Sequence, residues 1–148
     1  MQPLDLTKQP PRSPRVQVGG LVMIARTIDK LRASLPGGNP GSYKMPGFSA
    51  EILERLGVSE DALRGVIAKA ESEDAVLAWL AAHTDQARYP EINREFSEET
   101  SEGYSEKFHA SYPAARKYNL SNVFEIMEYD DREMFGIPHP QGEVAPKR

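Results

Sequence analysis

Leu21, Ile24, Ala25, Ile28, Leu31 and Leu35 recur every three or four positions. That spacing predicts a helix over about residues 21–35. Gly19-Gly20 precedes it and Pro36-Gly37-Gly38 stops it. Upstream, Pro3, Pro10, Pro11 and Pro14 forbid a continuous helix, so residues 1–18 read as an extended arm. Residues 36–48 hold four glycines and three prolines, a loop near the length at which loops are usually functional or mobile. Residues 49–96 read as four short helices, with Ser49, Ser59, Ser72 and Asp85 as caps. Residues 97–118 form a polar helical stretch with an aromatic ridge, Tyr104, Phe108 and Tyr112, at every fourth position. Ser121 caps a last helix from 122 to about 135, closed by Gly136, and its inner stripe is Val123, Met127 and Met134. No alternating strand pattern and no repeat of 20–50 residues occurs. The expected fold class is all-α. It is a single compact bundle-like domain of six or seven helices over residues 19–140, with the arm at 1–18 and a tail at 141–148.

Composition sharpens this only in places. At 148 residues and 39% hydrophobic content the chain can bury one core. The absence of cysteine removes disulfides, thiol nucleophiles and Cys-based metal sites. The net charge of −4 is a sum of unlike halves. Residues 1–44 hold seven Lys/Arg and two Asp, a local +5; residues 45–148 hold eleven Lys/Arg and twenty Asp/Glu, a local −9. A sequence pI near 5.4 and the acidic body argue against nucleic acid as a partner. The start lacks the basic and apolar regions of a secretory signal. No apolar run approaches the roughly 20 residues of a membrane span. The expectation is a cytoplasmic protein with no membrane partner.

Candidate chemistry concentrates in the first and last helices. Arg26, Asp29 and Lys30 share one side of the first helix, because positions three and four apart are neighbours. The start of that helix is apolar all round, so Arg26 should be partly buried and need a partner, whereas Asp29 and Lys30 look closer to solvent. Arg12, Arg15 and Arg26 could grip a carboxylate or phosphate, with Asp29 and Lys30 beside them; the other reading is a salt-bridge network that ties the arm down. On the last helix Asp130 and Asp131 flank the inner stripe, where an unpaired carboxylate is expensive. Either could pair with a basic residue of segment 12–32, or act as a general base. Among the histidines, His109 beside Phe108 suits proton transfer best; His83 sits at a helix end and His139 between two prolines. The acids near the end of the last helix match no metal-binding loop, so neither a metal nor a cofactor is expected. Glycine-rich phosphate loops are absent, and Trp79 reads as core.

Arg12-Ser-Pro-Arg15, Gly19-Gly20 and Arg26-Thr-Ile-Asp-Lys30 together resemble the opening of a bacterial family known as domain of unknown function 5069, and residues 59–80 are similar to its middle helices. The resemblance implies a cytoplasmic bacterial protein. The family brings no established activity.

The function expected is binding of a small anionic or polar molecule in one pocket, where the arm and first helix meet the last helix, with acid/base chemistry by Asp130 or Asp131 and, second, His109. The alternative is an interaction or homo-oligomerisation module, in which the arm docks on an acidic partner surface and the aromatic ridge is the interface.

Overall fold

A computed structural model describes residues 1–139; the tail expected at 141–148 lies outside the described residues. These fold into eight α-helices: α1 (Ile24–Ala33), α2 (Phe48–Leu56), α3 (Glu60–Lys69), α4 (Glu73–His83), α5 (Tyr89–Glu98), α6 (Glu106–Ser111), α7 (Ala114–Lys117) and α8 (Val123–Phe135), with a 3-10 turn at Gln86–Arg88 before α5. No strand occurs among the described residues. The protein is all-α, as the hydrophobic spacing requires. The polar stretch after α5 divides into two short helices, because Tyr112 leaves helical geometry just before Pro113.

Helix α1 is the axis of the core. Ile24, Ala25, Ile28 and Leu31 are fully buried, and α1 packs against α2 and α3. Ile52, Leu63, Ile67, Val76 and Phe124 complete the interior around it. On the far side α8 packs against α5 and α7.

Three boundaries differ from the sequence expectation, each for a local reason. α1 begins at Ile24 rather than near Leu21. Gly19 and Gly20, both at positive φ, make a tight turn in which Val18 and Leu21 exchange two backbone hydrogen bonds. Leu21 to Met23 are therefore buried without being helical, and Asn93 of α5 clamps the turn, accepting from Val22 N and donating to Gly20 O. Ser49 is not a cap: Gly47 holds that position, and Ser49 is fully buried inside α2, accepting a hydrogen bond from Thr27 Oγ1. Asn122, not Ser121, caps α8, its side chain accepting from Glu125 N. Ser59 and Ser72 cap α3 and α4 as expected, while Asp85 caps only the 3-10 turn.

The arm lies against the body. Leu6 N donates to Asn39 O at 2.8 Å, Asn39 N to Leu4 O at 2.9 Å, and Met23 N to Pro14 O at 2.8 Å. Leu6, Pro11 and Pro14 are buried. The arm's inner partner is the chain just after α1, where Gly38 passes so close to α1 that a Cβ would stand 2.4 Å from Ala33 O. Gly38→Ala must push Asn39 away and with it the arm. The expected cost is about 1–3 kcal/mol, as for other forced overpacking. Thermal unfolding should show it, and limited proteolysis should cut residues 1–18 faster in the variant.

Candidate functional site

The side of α1 opposite its apolar stripe carries Arg26, Asp29 and Lys30, and two other segments close over it. The first is α8. Arg26 is 2% exposed, and its guanidinium grips Asp131 with both ends: Nη1 to Oδ2 at 2.7 Å and Nη2 to Oδ1 at 3.0 Å. Asp131 falls on the buried face because it continues the spacing of Val123 and Met127, and it is 5% exposed. The second segment is the loop between α1 and α2. Its Tyr43 donates its hydroxyl to Asp131 Oδ1 at 2.7 Å, and its ring lies 5.5 Å from the Arg26 guanidinium carbon. Arg26 Nη1 also donates to the carbonyl of Arg12 at 3.3 Å.

Burial works against the Arg26 charge, but the bonds from Asp131 outweigh it and the guanidinium is held protonated. Burial, then the Asp131 charge, pushes the Tyr43 phenol well above its ordinary range. Burial also raises Tyr112 of the aromatic ridge, which lies close enough to Arg26, Asp130 and Asp131 to feel all three charges.

Asp130 stands apart from this saturated set. Among the described residues it has no hydrogen-bond or ion-pair partner. It is half-buried, and burial followed by the Asp131 charge raises its pKa from 3.8 to about 6, with Arg26 opposing. Lys30 is its basic counterpart: burial, then Arg26, pushes its pKa from 10.5 down to about 7.

The three arginines expected to share one anion are brought into one region but face different carboxylates. Arg12 reaches Asp29 through N (2.8 Å), Nε (3.1 Å) and Nη2 (3.1 Å), and Glu73 of α4 through Nη1 (3.2 Å) and Nη2. Its bonds to Glu73 raise its pKa further above the ordinary range. Arg15 bonds Glu128 at 2.8 Å and Asn122 at 3.4 Å. Asp29 and Lys30 are more covered than a lone helix suggests, because the arm crosses Asp29, 5% exposed, and Lys44 O accepts Lys30 Nζ at 3.0 Å.

His109 is placed on α6, its ring edge-on to Phe108 at 5.4 Å and its Nδ1 without a partner among the described residues; no bond or ion pair joins it to Asp130 or Asp131. His83 stacks on Trp79, whose carbonyl lies 2.8 Å from its Nδ1. His139 stacks on Tyr129 at 4.0 Å. The ridge packs on its own chain: Phe48 to Tyr104 at 6.5 Å, then Tyr104 to Phe108 and Phe108 to Tyr112 at 4.9 Å each. Met134, expected inside, is 47% exposed. Among the described residues no group of three or more His, Asp or Glu is placed to hold a metal ion, and no helix is long and apolar enough to cross a membrane.

A groove of about 410 Å³ runs beside the cluster, lined by Leu4, Pro10, Arg12, Asp29, Arg32 and Glu73 among others. Arg12 is the shared wall: its side chain faces the groove and its carbonyl meets Arg26. Tyr43 and Tyr112 are the members of the cluster that sequence reasoning missed as site residues. Tyr43 carries no periodic signal, only its place in a long loop; Tyr112 was visible only as the end of the ridge.

Over residues 8–132 the chain matches the family described as Domain of unknown function (DUF5069). No curated protein matches it.

Proposed function

The chain belongs to the family of domain of unknown function 5069, and from its geometry we propose that it binds a small polar molecule beside the Arg26–Asp131 pair and exchanges a proton with it through Asp130. The observation that carries this reading is the isolation of Asp130. Arg26, Asp29, Lys30 and Asp131 around it each have a bonded partner, and Asp130 has none among the described residues. A half-buried carboxyl without a partner is costly to the fold, so its retention fits a group kept for a ligand. An acid titrating near 6 can give or take a proton at neutral pH. Arg26, Asp131 and Tyr43 hold each other rigidly and form the wall of the site. Arg12 and Arg15 hold the arm across it.

Asp130→Asn tests this in two ways. The first needs no ligand. The folded pKa lies above the unfolded one, so the folded state binds the proton more tightly, and stability falls as pH rises from about 4 through 6. Two pKa steps would be nearly 3 kcal/mol, but solvent screening of a half-exposed group trims this to about 1 kcal/mol. Asp130→Asn is therefore expected to be more stable than the wild type by about 1 kcal/mol above pH 6, with no difference near pH 3; urea titrations at both pH values check it. The second is a thermal-shift screen over small acids, sugars and phosphates. A compound that raises the wild-type melting point should lose its effect on Asp130→Asn. An equal shift in both proteins overturns the reading. So does a screen without hits in which light scattering shows self-association through the exposed Val16, Met134 or Ile137, which supports the interaction module instead.

A further inference from the structure

Lys30 stands one turn beyond Arg26 on α1, on the same face. Among the described residues its ammonium bonds only a neutral acceptor, Lys44 O at 3.0 Å, and no carboxylate lies within ion-pairing distance. The charged groups that act on it are Arg26 from its own helix and Asp131 from α8. Asp131 is already engaged by both ends of Arg26 and by Tyr43. Lys30 is thus a half-buried amine beside a permanent cation, without a counter-ion of its own. Burial and an adjacent cation both favour the uncharged amine, and they are the two devices by which lysine becomes a nucleophile near neutral pH.

We propose that Lys30 is a nucleophile that forms an imine with a small carbonyl compound, an aldehyde or a 2-oxo acid, bound at this cluster. The proposal rests on the proton-exchanging site described above. The Nζ lone pair attacks the carbonyl carbon, forming the C–N bond, and the oxygen takes up a proton. Nζ loses its proton, the carbinolamine C–O bond breaks, and the hydroxyl leaves as water after a second protonation. Nothing is oxidised or reduced. Solvent water carries the proton to the departing oxygen and takes up the one released from Nζ.

The test is reductive trapping on the full chain. The protein is mixed at pH 7 with a limiting amount of glycolaldehyde or, in a second arm, glyoxylate, together with sodium cyanoborohydride, whose hydride converts an imine to a stable secondary amine. Peptide mass mapping then gives the adduct at each lysine. An ordinary lysine near 10.4 has only about one amine in 2,500 uncharged at pH 7. Lys30 is expected to be trapped about tenfold or more faster than the exposed Lys44, the gain being less than the ratio of neutral fractions because a weaker base is a weaker nucleophile. Its rate should level off above about pH 8. The faster arm tells an aldehyde from an oxo acid. Lys30→Arg should lose the selective adduct and keep the wild-type melting point within a few degrees. Trapping of Lys30 no faster than Lys44 in both arms overturns the proposal. If that happens while Asp130→Asn still abolishes a ligand shift, the proton site stands without the nucleophile; selective trapping at Lys30 with no effect of Asp130→Asn refutes the proton site alone.

Discussion

Asp131→Ala is expected to destabilise the protein by about 3–5 kcal/mol, because it leaves the Arg26 guanidinium charged, buried and without its counter-ion. For a chain of this size each kcal/mol moves the melting point by roughly 2–4 °C, so calorimetry should show a fall on the order of 10 °C. Tyr43 adds to the loss, since its half-buried hydroxyl also gives up its acceptor. The pair is nevertheless not expected to be a net source of stability. Arg26 Nε already has no partner among the described residues, and two buried charges must be stripped of water to meet. Arg26→Met combined with Asp131→Leu should therefore recover most of what Asp131→Ala loses, and adding Tyr43→Phe should recover more. A double variant no more stable than Asp131→Ala would show that the bidentate bond itself contributes strongly. If the double variant is stable and fails to bind whatever ligand shifts the wild type, the pair is retained for the site rather than for the fold.

How much of this could be read from the chain follows from what a helical wheel knows. It knows one helix at a time. The apolar start of α1 implied that Arg26 was buried and needed a carboxylate, and the stripe of Val123 and Met127 offered Asp130 or Asp131. Choosing between them takes the tilt of α8 against α1, which no single-helix pattern contains. Asp29 looked solvent-facing because the wheel omits the arm, yet Arg12 lies across it and closes it off. Tyr43 was illegible because a loop has no period. The misplaced caps are a smaller matter: Ser49 and Gly47, or Ser121 and Asn122, are both acceptable to a helix start, and the backbone angles decide between neighbours.

The unequal halves of the sequence find their use in the same contacts. Arg12, Arg15 and Arg26, from the basic first 44 residues, pair with Glu73, Glu128 and Asp131 from the acidic remainder. The charge difference thus draws the arm and α1 onto α4 and α8. Exposed members of this set, such as Arg15, contribute little each; their effect is to hold the arm in register over a site whose buried members matter more. This leaves Asp130 and Lys30 as the groups near the Arg26–Asp131 pair that the internal charge pairing does not use.

Phe124→Ala separates the fold from that site. Phe124 heads the fully buried side chains in volume and stands in the first turn of α8, facing the core shared with α1 and α5. Truncating it removes the ring's burial and leaves a cavity that the packed helices cannot fill, for an expected loss of about 3–5 kcal/mol, again on the order of 10 °C. Phe124→Leu should cost far less, near 1 kcal/mol, because most of the volume is kept. The stability losses of Phe124→Ala and Asp131→Ala are thus similar, but their effects on Asp130 are not. Asp131→Ala removes the negative charge that helps raise Asp130 and leaves Arg26, which lowers it, so the Asp130 pKa should fall from about 6 toward its ordinary range. Phe124→Ala changes no charge and lies nearly two turns away, so the Asp130 pKa, read from its side-chain carboxyl chemical shift, should stay near 6. Equal displacement of Asp130 in both variants would mean that α8 moves as one rod when its first turn is unpacked. The proton site would then depend on the whole core rather than on the charges around it.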